Sequence, residues 1–194
     1  MTSWEKFYDD KLKLIANCQS ILDVGGGIKF GKYLEKYKNL FGDNEYIVLD
    51  KEPKYKPDVI GDIHDLPFED ERFAAVHCNA VLEHVENPIK AVAEMHRVLK
   101  PGGQVLVYVP FLYPYHAEKG VYKDFYRYTK DGLGYLFRNF SNVEINPVRG
   151  FFETWLYFLP KVNKILAPRL GRFLDKLVKQ SGNQASGYQV YAVK

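Results

Sequence analysis

Short apolar runs alternate in this chain with longer stretches whose apolar residues recur every three or four positions, a pattern that predicts strands and helices in turn. The runs at 21–24, 45–50, 73–79, 104–109, 141–148 and 185–193 have strand length. Helical spacing follows the first run over 30–41, through Leu34, Tyr37 and Phe41. It returns after Asn87, at Ile89, Val92, Ala93, Met95, Val98 and Leu99, and a further helix is expected over 130–140. Local punctuation agrees with these limits. Thr2 and Glu5 have capping-box spacing for an opening helix. Asn87-Pro88 offers a side-chain cap followed by a proline at the first helical position, and Lys100-Pro101-Gly102-Gly103 stops that helix and turns into the next strand. Thr129 is placed to cap the helix after it. Strands separated by helices imply a parallel sheet covered on both faces.

The turn after the first run carries the most chemistry. Ile21-Leu22-Asp23-Val24 leads straight into Gly25-Gly26-Gly27, where a side chain would block a sharp turn or a ligand. Strand, glycine turn and helix in that order make a corner where backbone approaches a nucleotide at the mouth of a parallel sheet. A dinucleotide is disfavoured. Counting from Gly25, the third small position of G-x-G-x-x-G falls on Phe30, and Asp23 puts negative charge where a pyrophosphate would lie. An acid there suits a ligand with positive charge, such as an ammonium or a sulfonium. The second run ends in Asp50, 25 residues beyond Gly25, where a carboxylate can accept both hydroxyls of a ribose.

Further signals follow in order: Asp62-Ile63, the strand 73–79 with Ala80-Val81-Leu82-Glu83-His84-Val85 after it, and Arg97-Val98-Leu99-Lys100-Pro101-Gly102-Gly103. With D-x-G-x-G at 23–27, this series resembles the class I S-adenosylmethionine-dependent methyltransferases, and within them the methyltransferase type 11 group. The resemblance is firm over 15–110 and looser beyond. It implies an α/β fold, the Rossmann-like three-layer sandwich with a seven-stranded, mostly parallel sheet and an antiparallel last strand. It also implies S-adenosyl-L-methionine as cofactor, with Asp23, Gly25, Gly26 and Gly27 in the first motif and Asp50, beside Lys51, at the ribose. Asp62 would accept from the adenine amino group, Ile63 would pack on the ring, and Asn79 would border the methionine part. One departure stands out: Lys29 occupies a position where the family often has a third glycine. A stem swung outward leaves the cofactor clear, whereas one turned inward opposes the sulfonium. Gly31 is read as easing helix packing.

Residues 111–129 leave the strand 104–109 where a parallel sheet opens toward its ligands, and their dense rings and polar tips suit an acceptor pocket. His116, Asp124, Arg127 and Tyr128 resemble a type 11 subgroup with a D-x-x-R-[YF]-[ST] segment. For a hydroxyl acceptor, His116 is the first candidate base and His84 the second, with Tyr126 and Arg127 orienting the acceptor. The structural alternative makes Asp124 and Arg127 a pair that pins the loop. His64, His77 and His96 show no comparable constellation, and the five histidines have no paired ligand spacing, so no metal centre is expected.

Length and composition add bounds. At 194 residues and 46% hydrophobic, the chain can bury one substantial core, and a single domain over 1–194 is expected, with 151–182 a helical insertion before the last strand. Two cysteines, Cys18 and Cys78, give no disulfide framework, no run has transmembrane length, and the opening residues carry no secretory signal. A cytoplasmic location is expected. The net charge of +3 is uneven, with +5 in residues 161–180 and −2 elsewhere. That segment has helical spacing with Pro168 dividing two helices, and follows an aromatic stretch at 152–159. A basic amphipathic segment either touches an anionic membrane or acidic partner, or covers the core and leaves its basic face in water. A nucleic-acid substrate gains no support. The expected function is methyl transfer from S-adenosylmethionine to a small molecule or a lipid- or sugar-linked hydroxyl. Two alternatives are a cofactor-binding interaction protein without transfer activity, with Lys29 as its support, and an NAD-dependent oxidoreductase, disfavoured by Asp23 and Phe30.

Overall fold

The computed structural model describes residues 1–31, 34–159, 166–178 and 183–194. Its sheet has seven strands: β1 (Ser20–Val24), β2 (Glu45–Asp50), β3 (Val59–Ile60), β4 (Phe73–Asn79), β5 (Leu99–Pro110), β6 (Ser141–Val148) and β7 (Gly187–Val193), in the order β3-β2-β1-β4-β5-β7-β6. The five strands from β3 to β5 run parallel, and β7 lies antiparallel between β5 and β6. The expected class I sheet is therefore present, together with an edge strand, β3, whose two residues were too short to read as a run.

Helices α1 (Ser3–Ala16), α2 (Pro88–Val98) and α3 (Lys130–Leu136) make the outer layers. Alternation along the strands feeds two cores. Leu22 and Val24 join Met95 and Val98 of α2 and Leu133 of α3 on one face, while Ile21 and Val48 join Leu12 and Ile15 of α1 on the other. The caps are formed as the sequence requires. Thr2 and Glu5 close a capping box on α1, Asn87 accepts from the Lys90 N–H at 3.0 Å, and Thr129 accepts from the Gly132 N–H at 3.1 Å.

The expected helix over 30–41 is not there: among the described residues only Glu35–Leu40 is helical, as a tight 3-10 turn. Phe30 takes φ +54 and the Gly31 N–H closes a turn onto the Ile28 carbonyl at 2.7 Å, so the chain reverses before a helix can start. The apolar spacing serves an aromatic cluster instead. The Phe30 ring stacks on Tyr46 at 4.6 Å and tilts against Phe41 at 5.3 Å. Gly31 belongs to that turn and not to a helix contact.

Before β7 stands a helical pair, α4 (Phe151–Phe158) and α5 (Leu166–Leu177). Pro168 lies in the first turn of α5, where its missing N–H costs no helical bond. Much of the basic segment, residues 161–165, 179 and 180, lies outside the described residues.

Candidate active site

Parallel pairing brings the ends of β1, β2 and β4 to one edge of the sheet. Asp23 is level with Val48 on one side and with His77 on the other. Beyond Val24 the chain turns through Gly25 at φ +66 and Gly27 at φ +59, a left-handed conformation that favours glycine. The three glycines are needed for different reasons. A Cβ on Gly25 would lie 2.4 Å from Val81, and one on Gly26 would lie 2.4 Å from the Asp23 carboxylate, so both positions are closed by the protein itself. A Cβ on Gly27 would meet only the Tyr55 ring, at 4.0 Å. Gly27 thus presents open backbone.

Asp50 at the end of β2 holds this turn. One carboxylate oxygen accepts the Gly27 N–H at 3.0 Å and the other accepts the Glu52 N–H at 2.9 Å, each with a further lone pair to offer. Lys51 extends from the same strand end to Asp62 at 3.2 Å. Asp62 also accepts the His64 N–H at 2.9 Å and faces His64 Nδ1 at 2.6 Å. Burial works against its charge, but these hydrogen bonds hold the Asp62 carboxyl below its ordinary range. Ile63 is only 6% exposed and packs in the same core as Leu49 and Leu66, so little of its side chain faces outward. Lys29 is turned away from the glycines: its ammonium donates to the Tyr46 carbonyl at 2.7 Å and pairs with Asp58 at 3.0 Å.

Asp23 is buried and satisfied within the protein. It accepts the Tyr46 hydroxyl at 2.5 Å and faces His77 Nδ1 at 2.8 Å, and His77 Nε2 lies 3.1 Å from the Tyr8 hydroxyl of α1. Burial and the nearby Asp23 charge push both phenols well above their ordinary range, so both remain donors. His77, given no constellation by the sequence reading, sits at the centre of this chain. The signal that would have found it is strand register, which pairs His77 with Asp23 across β1 and β4.

A cavity of about 790 Å³ opens beyond the ends of β4 and β5. Asn79 and Glu83 line one side, Trp4 and Tyr8 of α1 another, and Tyr113 and His116 of the 111–129 loop a third. The loop is fastened from inside. Arg127 makes paired bonds of 2.5 and 2.7 Å to Asp124 and also donates to the Tyr113 and Pro114 carbonyls at 3.1 and 2.8 Å. Asp124 in turn accepts the His116 N–H at 2.8 Å. The Arg127 guanidinium and these bonds hold the Asp124 carboxyl at about 2. Arg127 is thus a clamp of the loop, and Tyr126 donates to the Glu86 carbonyl at 2.8 Å; neither lines the cavity.

His116 and His84 do come together, with ring centroids 4.8 Å apart, and His116 reaches the cavity wall. Between them lies a residue the sequence reading quoted without a role. Glu83 is fully buried, neither carboxylate oxygen has a hydrogen-bond partner, and burial pushes its carboxyl up to about 8. Its Oε1 is 3.6 Å from His116 Nε2 and 3.8 Å from His84 Nε2.

A family model described as a methyltransferase domain, of the type 11 group, matches residues 22–107. Over 106 residues the chain is 32% identical to the ubiquinone/menaquinone biosynthesis C-methyltransferase of Vibrio parahaemolyticus, covering 46% of this chain and 40% of that protein. An uncharacterized protein of Methanocaldococcus jannaschii is 28% identical over 171 residues, 87% of this chain and 71% of the other. Among solved structures, an S-adenosylmethionine-dependent methyltransferase from Archaeoglobus fulgidus superimposes with a TM-score of 0.64 at 18% identity, over 98% of this chain and 93% of that one. The chain spans about two fifths of the length of the curated quinone-biosynthesis relative. The open backbone at Gly27 and the carboxylate of Asp50 fit the cofactor of that family, and no feature of the glycine turn conflicts with it. Residues 22–107 thus match a methyltransferase domain, and the strand order and superposition give the chain the fold of the class I S-adenosylmethionine-dependent methyltransferases.

Proposed function

We propose that this methyltransferase acts on a hydroxyl of a small or lipid-linked acceptor that enters the 790 Å³ cavity. The observation that carries this reading is the convergence of Glu83 and His116 on the cavity wall close to Asn79, where β4 ends. Bound at the sheet edge, S-adenosylmethionine supplies a methyl group on a sulfonium, open to in-line displacement. The Gly25–Gly27 turn would accommodate it at backbone level, Asp50 would accept the ribose hydroxyls, and Asn79 would border its methionine end. Tyr113 and Tyr8 would confine the acceptor, and the Arg127–Asp124 clamp would keep His116 in place, since orientation of the reactants supplies much of the rate. As the acceptor oxygen forms its new bond to carbon and the sulfur–carbon bond breaks, its proton must leave. The Glu83–His116 end of the cavity is where it would be taken.

One experiment separates the two halves of the site. Asp50→Ala should weaken S-adenosylmethionine binding by about 1.5–3 kcal/mol in calorimetry, through lost hydrogen bonds to a charged group. His116→Ala should leave that affinity nearly intact and abolish release of S-adenosylhomocysteine from a panel of hydroxylated acceptors. Equal loss of cofactor affinity in both variants would overturn the division.

A lipid-linked acceptor has its own support. Leu166, Leu170, Phe173 and Leu177 of α5 are all more than half exposed and fall on one helical stripe, flanked by Arg169, Arg172 and Lys176. Helix α4, which packs against α5, contributes Tyr157 to the cavity wall. A membrane surface met by α5 would then lie beside the element that leads to the cavity.

A further inference from the structure

We propose that Glu83, His84 and His116 form a binding site for a divalent transition-metal cation. Their ligand atoms all lie within 4.8 Å of one another. The separations from Glu83 Oε1, 3.6 and 3.8 Å, are too long for hydrogen bonds, yet close to the roughly 3.4 Å edge of a tetrahedron with bonds of about 2.05 Å. A few tenths of an ångström of contraction along these two edges, and at most about 1.4 Å between the two histidine nitrogens, would bring all three onto one ion.

The arrangement behind the ligands points the same way. His84 Nδ1 lies 2.7 Å from the Lys123 carbonyl and His116 Nδ1 lies 3.0 Å from the Pro114 carbonyl. A carbonyl only accepts, so each ring carries a proton on Nδ1 and, in its neutral form, presents a lone pair at Nε2. Both lone pairs are thereby fixed toward Glu83, the outer support commonly found behind metal-bound histidines. Between them Glu83 buries a carboxylate with neither oxygen partnered. An unpartnered buried carboxylate is costly, and a cation is the group that would satisfy it together with two lone pairs. Two imidazoles and one carboxylate match zinc, cobalt or manganese better than calcium or magnesium.

Glu83 and His116 belong to the cavity wall, so a fourth position on the ion would face the cavity. Resting on the acceptor reading above, that position would take the acceptor oxygen. The ion would lower the pKa of its hydroxyl and let the proton pass to solvent, replacing His116 as the proton's destination.

The test uses the full chain without an affinity tag, stripped by chelator, then titrated with zinc chloride in a calorimeter and with cobalt chloride in a visible spectrometer. One ion per chain is expected, with cobalt absorption bands typical of low coordination. At a hundredfold excess over Kd the bound ion should raise Tm by about 5–10 °C. Glu83→Gln and His116→Ala should each lower affinity by at least about 10–100-fold, the range found when even a ligand's support is removed. His96→Ala, outside the cluster, should bind as the wild type does. Glu83→Gln keeps the size and shape of the side chain, so its ion-free form should melt close to the wild type, separating lost ligation from lost fold. Absence of stoichiometric binding, or binding that survives both ligand variants, would overturn the site. Because binding is read without any methyl transfer, that failure would leave the acceptor reading standing on its own test.

Discussion

Helices α2 and α5 have 11 and 12 residues, and both carry apolar side chains at helical spacing, yet they place those side chains in opposite environments. On α2, Ala91, Val92, Met95 and Val98 are buried against the sheet. On α5, the stripe of Leu166, Leu170, Phe173 and Leu177 faces outward, and the residue that packs inward is Gly171, where a Cβ would lie 2.4 Å from the Glu153 backbone. The difference teaches that amphipathic spacing states how a helix divides its surface and not which side the rest of the chain covers. The sheet covers the apolar side of α2. The neighbour α4 takes a small and polar side of α5, leaving the apolar side for something else.

The largest expected effect breaks or keeps that contrast directly. Met95→Ala should cost about 2–5 kcal/mol through lost burial and the cavity left behind, whereas Leu170→Ala should stay within about 0.5 kcal/mol. Urea unfolding followed by circular dichroism would measure both. A comparable loss for the two would mean that the α5 stripe is covered in solution.

The second prediction concerns how each helix is held. The first turn of α2 is capped from its own chain by Asn87, but α4 begins at Gly150 with no side-chain cap of its own. Asp175 of α5 supplies it, accepting the Phe152 N–H at 2.8 Å and the Glu153 N–H at 3.1 Å. Asp175→Ala should therefore cost about 1–2 kcal/mol, the scale of a lost helix cap, and concentrate its effect in the helical pair. Hydrogen exchange should quicken at Phe152 and Glu153 while the amides of α2 keep their protection. Loss of protection in both regions at once would show that the pair is not a separate cooperative unit.

The same contrast sets how much could be read from sequence. Buried parallel strands advertise themselves as unbroken apolar runs, so β1, β2, β4 and β5 were legible, and Asn87-Pro88 marked a helix start through local chemistry alone. Phe30, Leu34, Tyr37 and Phe41 misled because a compact aromatic cluster around Tyr46 imposes similar spacing on a turn. The two-residue β3 left no run to detect. On the site, Asp50 and the glycine turn follow from short-range order. Glu83 with His116, and Asp23 with His77, depend on residues brought together from distant parts of the chain. Spacing between histidines therefore gave no warning of the cluster. For α5 the sequence showed the stripe and its charge, but the side facing outward is a property of α4 and of Gly171.

The smallest effect, and the one that sharpens the comparison most, is docking of α5 on an anionic membrane. No helix among the described residues is long and apolar enough to cross a membrane. The stripe would supply apolar area to the acyl boundary, while the exposed Arg169 and Lys176 would meet the headgroups, each basic residue contributing about 1 kcal/mol near an acidic surface. Sums of that size are screened by salt, so cosedimentation with vesicles should need acidic lipid and weaken as ionic strength rises. Arg169→Glu combined with Lys176→Glu should remove binding without lowering urea stability, because both side chains are exposed. The apolar half is tested apart: Leu170→Ala with Phe173→Ala should reduce binding even at low salt, where the charges are fully felt. Binding that ignores the stripe would make the attraction purely electrostatic, and an acidic protein would then suit the surface as well as a bilayer. If neither vesicle type is bound, the exposed face of α5 is not a membrane contact, and a soluble hydroxyl acceptor becomes the better occupant of the cavity.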